Sequence, residues 1–234
     1  MRQVILDTET TGLRTEEGHR IIEIGCIELV NRKFTGKRYH QYINPQRDIE
    51  QGALDVHGIT LEFLKEKPCF VDIVTGFMDF VEGAELIIHN APFDVGFINY
   101  ELHLLSAKWQ TITHHCRIID TLQIARQLHV GQRNSLDALC KRYSIDNSHR
   151  ELHGALLDAH LLAQVYLAMT GGQASLFEER PVSDVIETAE VGIAKMQSPR
   201  RKLHVLKAST DELVQHEAKL QKMAEKGKCV WSIE

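Results

Sequence analysis

No stretch of this 234-residue chain approaches eighteen uninterrupted apolar residues, so no helix of ordinary length should cross a membrane. The first residues, Met1-Arg2-Gln3-Val4-Ile5-Leu6-Asp7, run straight into a strand-like pattern and lack signal-peptide architecture, which leads to the expectation of a cytoplasmic protein. Cysteine is sparse. Cys26, Cys69, Cys116, Cys140 and Cys229 are scattered, odd in number and never spaced C-x-x-C, which argues against a disulfide framework or a zinc site. Basic excess is also lacking. The net charge is −5, and residues 1–170 hold 22 acidic and 17 basic side chains against ten of each in 171–234. A protein that handles nucleic acid usually presents a basic surface. If this chain does so, cations must offset part of its acidity, and another protein is one way to hold the substrate for it. No internal repeat is present.

What is there is the composition of a globular domain with a core: 43% hydrophobic and 25% charged residues. Val4 to Glu9, Arg20 to Val30, Lys37 to Ile43, Glu85 to His89 and His115 to Thr121 read as strands. Phe70, Ile73, Val74, Phe77, Phe80 and Val81 recur at helical spacing over residues 70–82. Pro92 marks a helix start with Asn90 as its cap, further helices fall near 121–129 and 135–143, and an amphipathic helix runs from Ala155 to Met169 before Gly171-Gly172. This order predicts an α/β fold, a mixed sheet covered by helices. After Gly172 periodicity lapses. Leu203 to Lys207 reads as a short strand, followed by a helix opening at Thr210 and stopping at Gly227. A unit that small cannot bury a core of its own.

Chemistry concentrates at three places. Asp7 and Glu9 are two apart in a strand, so both carboxylates leave one face, about 7 Å apart along the chain. They repel unless a cation lies between them, and oxygen ligands favour magnesium or manganese. A strand end emerging into solvent would equally tolerate them. Asp94 falls in the first turn of the helix after His89-Asn90-Ala91-Pro92-Phe93, where the helix dipole favours an acid. Asp158 lies within the last long helix. His153 is five residues earlier, a rotation of about 140° that takes it off the face of Asp158. If both serve one site, His153 precedes the helix, with Gly154 lending backbone freedom.

Asp7-Thr8-Glu9-Thr10-Thr11-Gly12, His89-Asn90-Ala91-Pro92-Phe93-Asp94 and His153-Gly154-Ala155-Leu156-Leu157-Asp158, in this order and spacing, resemble the three motifs of the DEDDh exonuclease family over about residues 4–170. The resemblance implies a ribonuclease-H-like fold, a mixed five-stranded sheet flanked by helices. It implies phosphodiester hydrolysis from 3′ ends with two divalent cations, Mg2+ or Mn2+. By the same resemblance Asp7 bridges both ions, Glu9 and Asp158 complete one coordination sphere, Asp94 supports the second, and His153 is the general base. Substrate would meet Asp7, Glu9 and Asp158 through the ions. His57, in Asp55-Val56-His57-Gly58-Ile59-Thr60, matches a position lining the terminal-nucleotide pocket, with Asn90 and Phe93 beside it.

The residues beyond the catalytic helix resemble the branch of this family that serves bacterial replicative polymerases in proofreading. Gln173-Ala174-Ser175-Leu176-Phe177 looks like a sliding-clamp docking motif, with Gln173, Leu176 and Phe177 as anchors on a flexible stalk. Residues 203–231 resemble a segment that binds the polymerase catalytic subunit. The expected organisation is an exonuclease domain over 1–172, a linker with the clamp motif over 173–202, and a small polymerase-binding segment over 203–234. A frayed or single-stranded 3′ DNA end is the expected substrate, and a small accessory subunit is a further expected partner. The alternatives are a free-standing exonuclease trimming RNA or DNA ends, and a tether whose role is mainly structural.

Overall fold

The computed structural model describes residues 1–105, 109–148, 152–171 and 208–225. The chain divides into two compact units, Met1–Glu179 and Arg180–Glu234. In the first, strands β1 (Arg2–Thr10), β2 (Ile21–Val30) and β3 (Lys33–Tyr42) are followed by helices α1 (Gln51–His57), α2 (Leu61–Leu64) and α3 (Phe70–Val81). Then come β4 (Glu85–Ile88), α4 (Ala91–Leu105), β5 (Arg117–Asp120), α5 (Thr121–Leu128), α6 (Leu136–Arg142) and α7 (Ala155–Thr170). The second unit contributes α8 (Thr210–Ala224). Among the described residues no helix is long and apolar enough to cross a membrane.

The five strands form one mixed sheet in the order β3-β2-β1-β4-β5. β1 lies antiparallel to β2 and parallel to β4, which is parallel to β5. Strand alternation then sorts the side chains of β1. Val4 and Leu6 enter a core with Phe70, Phe77 and Phe97 from α3 and α4. Ile5 enters a second core with Ala125, Leu139, Leu162 and Val165 from α5, α6 and α7. Both faces of the sheet are therefore covered, and β1 lies at its centre.

Several expectations need correction. β3 begins at Lys33, not Lys37; its first residues are exposed and show no apolar alternation, Phe34 standing alone among Lys33, Thr35 and Gly36. β5 is confined to Arg117–Asp120; a 3-10 turn over Ile112–His114 precedes it. The helices at Gln51–His57 and Leu61–Leu64 were not anticipated, being too short to show periodicity. α7 is not amphipathic: Asp158, Ala159, Leu161, Leu162, Ala163, Val165, Tyr166 and Met169 are buried on most of its circumference. Gly154 takes an extended conformation open to any residue (φ −157°), so it is not present for backbone freedom.

The glycine that matters is Gly25 of β2. A Cβ there would overlap the backbone of Ala155 and Leu156, so only glycine lets the N-terminus of α7 rest on the sheet. Glu23, on the same face of β2, accepts from the Ala155 N–H at 3.1 Å and satisfies one of the orphan amides of that helix end. Gly25 is the register partner of Asp7. The close approach therefore sets the first turn of α7 directly over the acidic end of β1.

Cys26, Cys116 and Cys140 are buried core residues, whereas Cys69 is half-buried before α3. Cys229, the expected strand at 203–207, the helix stop at Gly227 and the motif at 173–177 lie outside the described residues.

Candidate active site

The C-terminal end of β1 delivers Asp7 and Glu9 to the α7 side of the sheet. Two further acids come from helix starts. Asp94 is buried in the first turn of α4, and Asp158 is buried in the first turn of α7. His153 stands just before α7, half-exposed, with Nδ1 3.4 Å from Asp158 Oδ2. Glu9, His153 and Asp158 hold their ligand-type atoms within 4.8 Å of one another. Asp7, Glu9, Asp94, His153 and Asp158 all line one cavity of about 270 Å³.

Residues separated by some 150 positions thus meet because β1, α4 and α7 all present their ends at one end of the sheet's strands. His153 is held there through its backbone: its N–H donates to Val56 O at 3.1 Å. That bond ties the loop before α7 to the end of α1.

The electrostatics are those of a site built around cations. Burial pushes the Asp94 carboxyl up from 3.8 to about 7, against the Thr8 hydroxyl and nearby backbone amides, which favour its charged form. Thr8 Oγ1 donates to Asp94 Oδ1 at 2.7 Å. Carboxylates crowded into one buried cavity are costly without a compensating positive charge. Their all-oxygen donors suit hard divalent ions. The residues present therefore fit the divalent-metal dependence of their chemistry.

A second pocket, about 400 Å³ and mainly apolar, adjoins the first. Thr8, Glu9 and Phe93 line both cavities, so Phe93 stands at their boundary. Its other walls come from Gly12 and Leu13 after β1 and from Glu50, Ala53, Val56 and His57 of the α1 region. His57 lies here, buried, and Asn90 lines the acidic cavity. The Ile59 N–H donates to His57 Nδ1 at 2.9 Å, so the ring proton of the neutral imidazole sits on Nε2. That Nε2 is buried without a hydrogen-bond partner. Burial lowers the His57 pKa, opposed by the nearby Thr10 backbone.

Five contributing residues were missed from sequence. Thr8 points away from the Asp7–Glu9 face, yet it holds Asp94; the alternation within D-T-E could have assigned it to α4. Glu23 supports the N-terminus of α7, and nothing local in sequence marks that role. Ser135, Leu136 and Asp137, at the start of α6, line the acidic cavity. Asn90 differs from a standard cap. Its backbone is left-handed (φ +67°) and its N–H donates to Asp120 Oδ1 at 3.1 Å.

Comparison with known proteins places these features in a lineage. The sequence pattern of the family described as Exonuclease matches residues 4–166. DNA polymerase III subunit epsilon of Escherichia coli K12 is 48% identical over 235 residues, covering 98% of this chain and 97% of that protein. The subunit of the same name from Pasteurella multocida is 49% identical, covering 98% and 93%. The one from Rickettsia prowazekii is 49% identical, covering 95% and 97%. Among solved structures, exonuclease X in complex with 5′ overhanging duplex DNA superposes with a TM-score of 0.56 at 25% identity, covering 73% of this chain and 92% of the other. The nuclease domain of 3′hExo, a DEDDh family member bound to rAMP, superposes with a TM-score of 0.61 at 18% identity, covering 72% and 90%, a likeness of fold.

Proposed function

The chain belongs to the Exonuclease family and, within it, to the DNA polymerase III epsilon subunits, and from that premise we propose how it removes mispaired nucleotides from 3′ DNA ends. The observation that carries the reading is the pairing of two cavities across Phe93. One is lined by Asp7, Glu9, Asp94, Asp158 and His153 among its polar groups; the other is mainly apolar, about 400 Å³.

Asp7, Glu9, Asp94 and Asp158 would hold two divalent cations, Mg2+ or Mn2+. When bound, such ions supply an activated water and stabilise charge on the leaving 3′ oxygen. The chain's own residues do the rest. His153 takes the proton of the attacking water, a role suited to imidazole near neutral pH. Asp158, 3.4 Å away, orients that ring. Thr8 fixes the Asp94 carboxylate. Phe93 wedges against the terminal base, and sequence-tolerant stacking suits an enzyme that must accept any mispair. The buried Nε2–H of His57 offers the terminal nucleotide a donor that the protein leaves unused. The products are nucleoside 5′-monophosphates.

The partners follow from charge and from the tail. With a net charge of −5 the body attracts DNA weakly, so the polymerase catalytic (alpha) subunit presents the primer end. α8 supports a tethering role. It is capped by Ser209 and Glu212 and exposes Leu213, Val214 and Met223. Residues 203–234 would bind the polymerase, and Gln173, Leu176 and Phe177 of the linker 173–202 would dock into the sliding clamp. A theta-like accessory subunit is a further partner, and the assembly works in the cytoplasm. Digestion of a primer with a mispaired 3′ end, alone and with the polymerase, tests the reading. Mismatch removal in magnesium and none in EDTA is expected. Equal activity in both would overturn it.

A further inference from the structure

His19 is not among the acids or the base of the reaction, yet it is buried (1% exposed), and its ring packs on Gly12, which lines the apolar pocket. A Cβ at Gly12 would overlap the imidazole, so the ring lies flat against the Gly12 backbone. Its Nδ1 meets Thr11 Oγ1 at 3.0 Å, and that hydroxyl also accepts from the Arg20 N–H at 3.0 Å. On the other edge Nε2 lies 3.1 Å from Glu50 Oε1 and 3.5 Å from Glu17 Oε2. The two walls that this ring joins are the walls of the pocket: Gly12 and Leu13 on one side, Glu50 and the start of α1 on the other. Among the described residues one backbone bond supports the junction directly, from the Glu50 N–H to Thr11 O at 2.9 Å.

We propose that His19 is a positioning residue, a latch that sets the spacing between the two walls of the terminal-nucleotide pocket by holding Glu50 against the Thr11–Gly12 turn. The proposal rests on reading that pocket as the nucleotide site. Three features favour a latch over a residue that merely fills volume. The ring uses both nitrogens, each on a different segment of chain. Glu50 itself lines the pocket, so its carboxylate is fixed or freed by this bond. The segments joined carry the pocket's recognition surface but none of the four acids, so loosening them alters binding and leaves the acid cavity in place. Preorganised walls raise affinity by reducing what must be ordered on binding.

The test uses the full-length chain in magnesium with the 4-nitrophenyl ester of thymidine 5′-monophosphate, a substrate with a single nucleoside that reads this pocket alone. His19→Ala is expected to raise KM about tenfold, equivalent to ~1.4 kcal/mol, with kcat within about twofold of the parent. His19→Gln keeps a side-chain donor for Glu50 and should recover most of that loss. Glu50→Gln should raise KM by itself, and the double variant His19→Ala, Glu50→Gln should be no worse than His19→Ala alone, the signature of one shared interaction. The thermal midpoint is measured for each variant. An unchanged KM in folded His19→Ala overturns the latch. So does a fall in kcat that tracks a lowered thermal midpoint, or additive losses in the double variant. His57→Ala serves as the control: if it too leaves KM unchanged, the nucleotide reading of the pocket fails and the latch with it, whereas a raised KM in His57→Ala alone rejects only the latch.

Discussion

The two cavities on either side of Phe93 differ in almost everything except their shared border. The first is polar, small and built from helix and strand ends that are fixed by the sheet. The second is apolar, larger and walled partly by short segments between β1 and α2. Chemistry needs charged groups held within fractions of an ångström, and rigid elements supply that. Recognition of any terminal nucleotide needs surface and a wedge, and loops with short helices supply it. The division predicts that substitutions in the first cavity act on kcat, and those in the second on KM.

The strongest way to break the division is at the acids. Asp7→Ala or Asp158→Ala should reduce digestion below detection while circular dichroism shows a retained fold, because each removes a ligand and relieves carboxylate repulsion. His153→Ala comes next. Loss of a general base should cost roughly 10²–10⁴-fold in kcat, with calorimetric cation binding retained. An unaltered rate at neutral pH would remove His153 from the mechanism. On the other side, Phe93→Ala should forfeit about 1–3 kcal/mol of base stacking, or roughly 5- to 150-fold in KM, with little change in kcat. A matching fall in kcat would merge the two cavities into one functional unit.

A smaller effect concerns Asp94. Its folded carboxyl titrates near 7, above its ordinary 3.8, so the metal-free folded state binds this proton more tightly than the unfolded chain. The stability it contributes is complete below the unfolded value and is lost as pH rises to about 7. The thermal midpoint of the metal-free parent, minus that of Asp94→Asn, should therefore decline between pH 4 and 7 and then level off. Added manganese should narrow the gap at pH 8. A difference that rises with pH would reverse the sign of the argument.

Much of the first cavity was legible in the sequence, and less of the second. Asp7 and Glu9 share a face because strand geometry leaves no alternative, and helix spacing put His153 off the face of Asp158, hence before α7 if the two share a site. The supports of that cavity were hidden because they are tertiary. Glu23 reaches Ala155 across 132 positions, and Gly25 matters only because a helix end rests on it. The short helices walling the second pocket, and the ring of His19 packed on Gly12, have no periodic signal to betray them. Asp94 illustrates a wrong emphasis. A helix start does favour an acid, but burial outweighs that preference and pushes the carboxyl up to about 7.

The tail draws a second contrast with the body. Among its described residues α8 buries none and exposes Leu213, Val214 and Met223, whereas α3, α4 and α7 each bury several, and a helix of this length is marginal in water by itself. Truncation after Gly172 should leave a folded, active exonuclease that no longer co-purifies with the polymerase catalytic subunit. Retained co-purification would assign the tether elsewhere.

The most direct measurement is a manganese titration by calorimetry of the parent chain, Asp7→Ala and His57→Ala, alongside hydrolysis rates with and without EDTA. Two ions per chain are expected for the parent and for His57→Ala, with binding weakened in Asp7→Ala and hydrolysis abolished by EDTA. Undiminished hydrolysis in EDTA, or equal binding by Asp7→Ala, would contradict a reaction carried by cations in the acidic cavity.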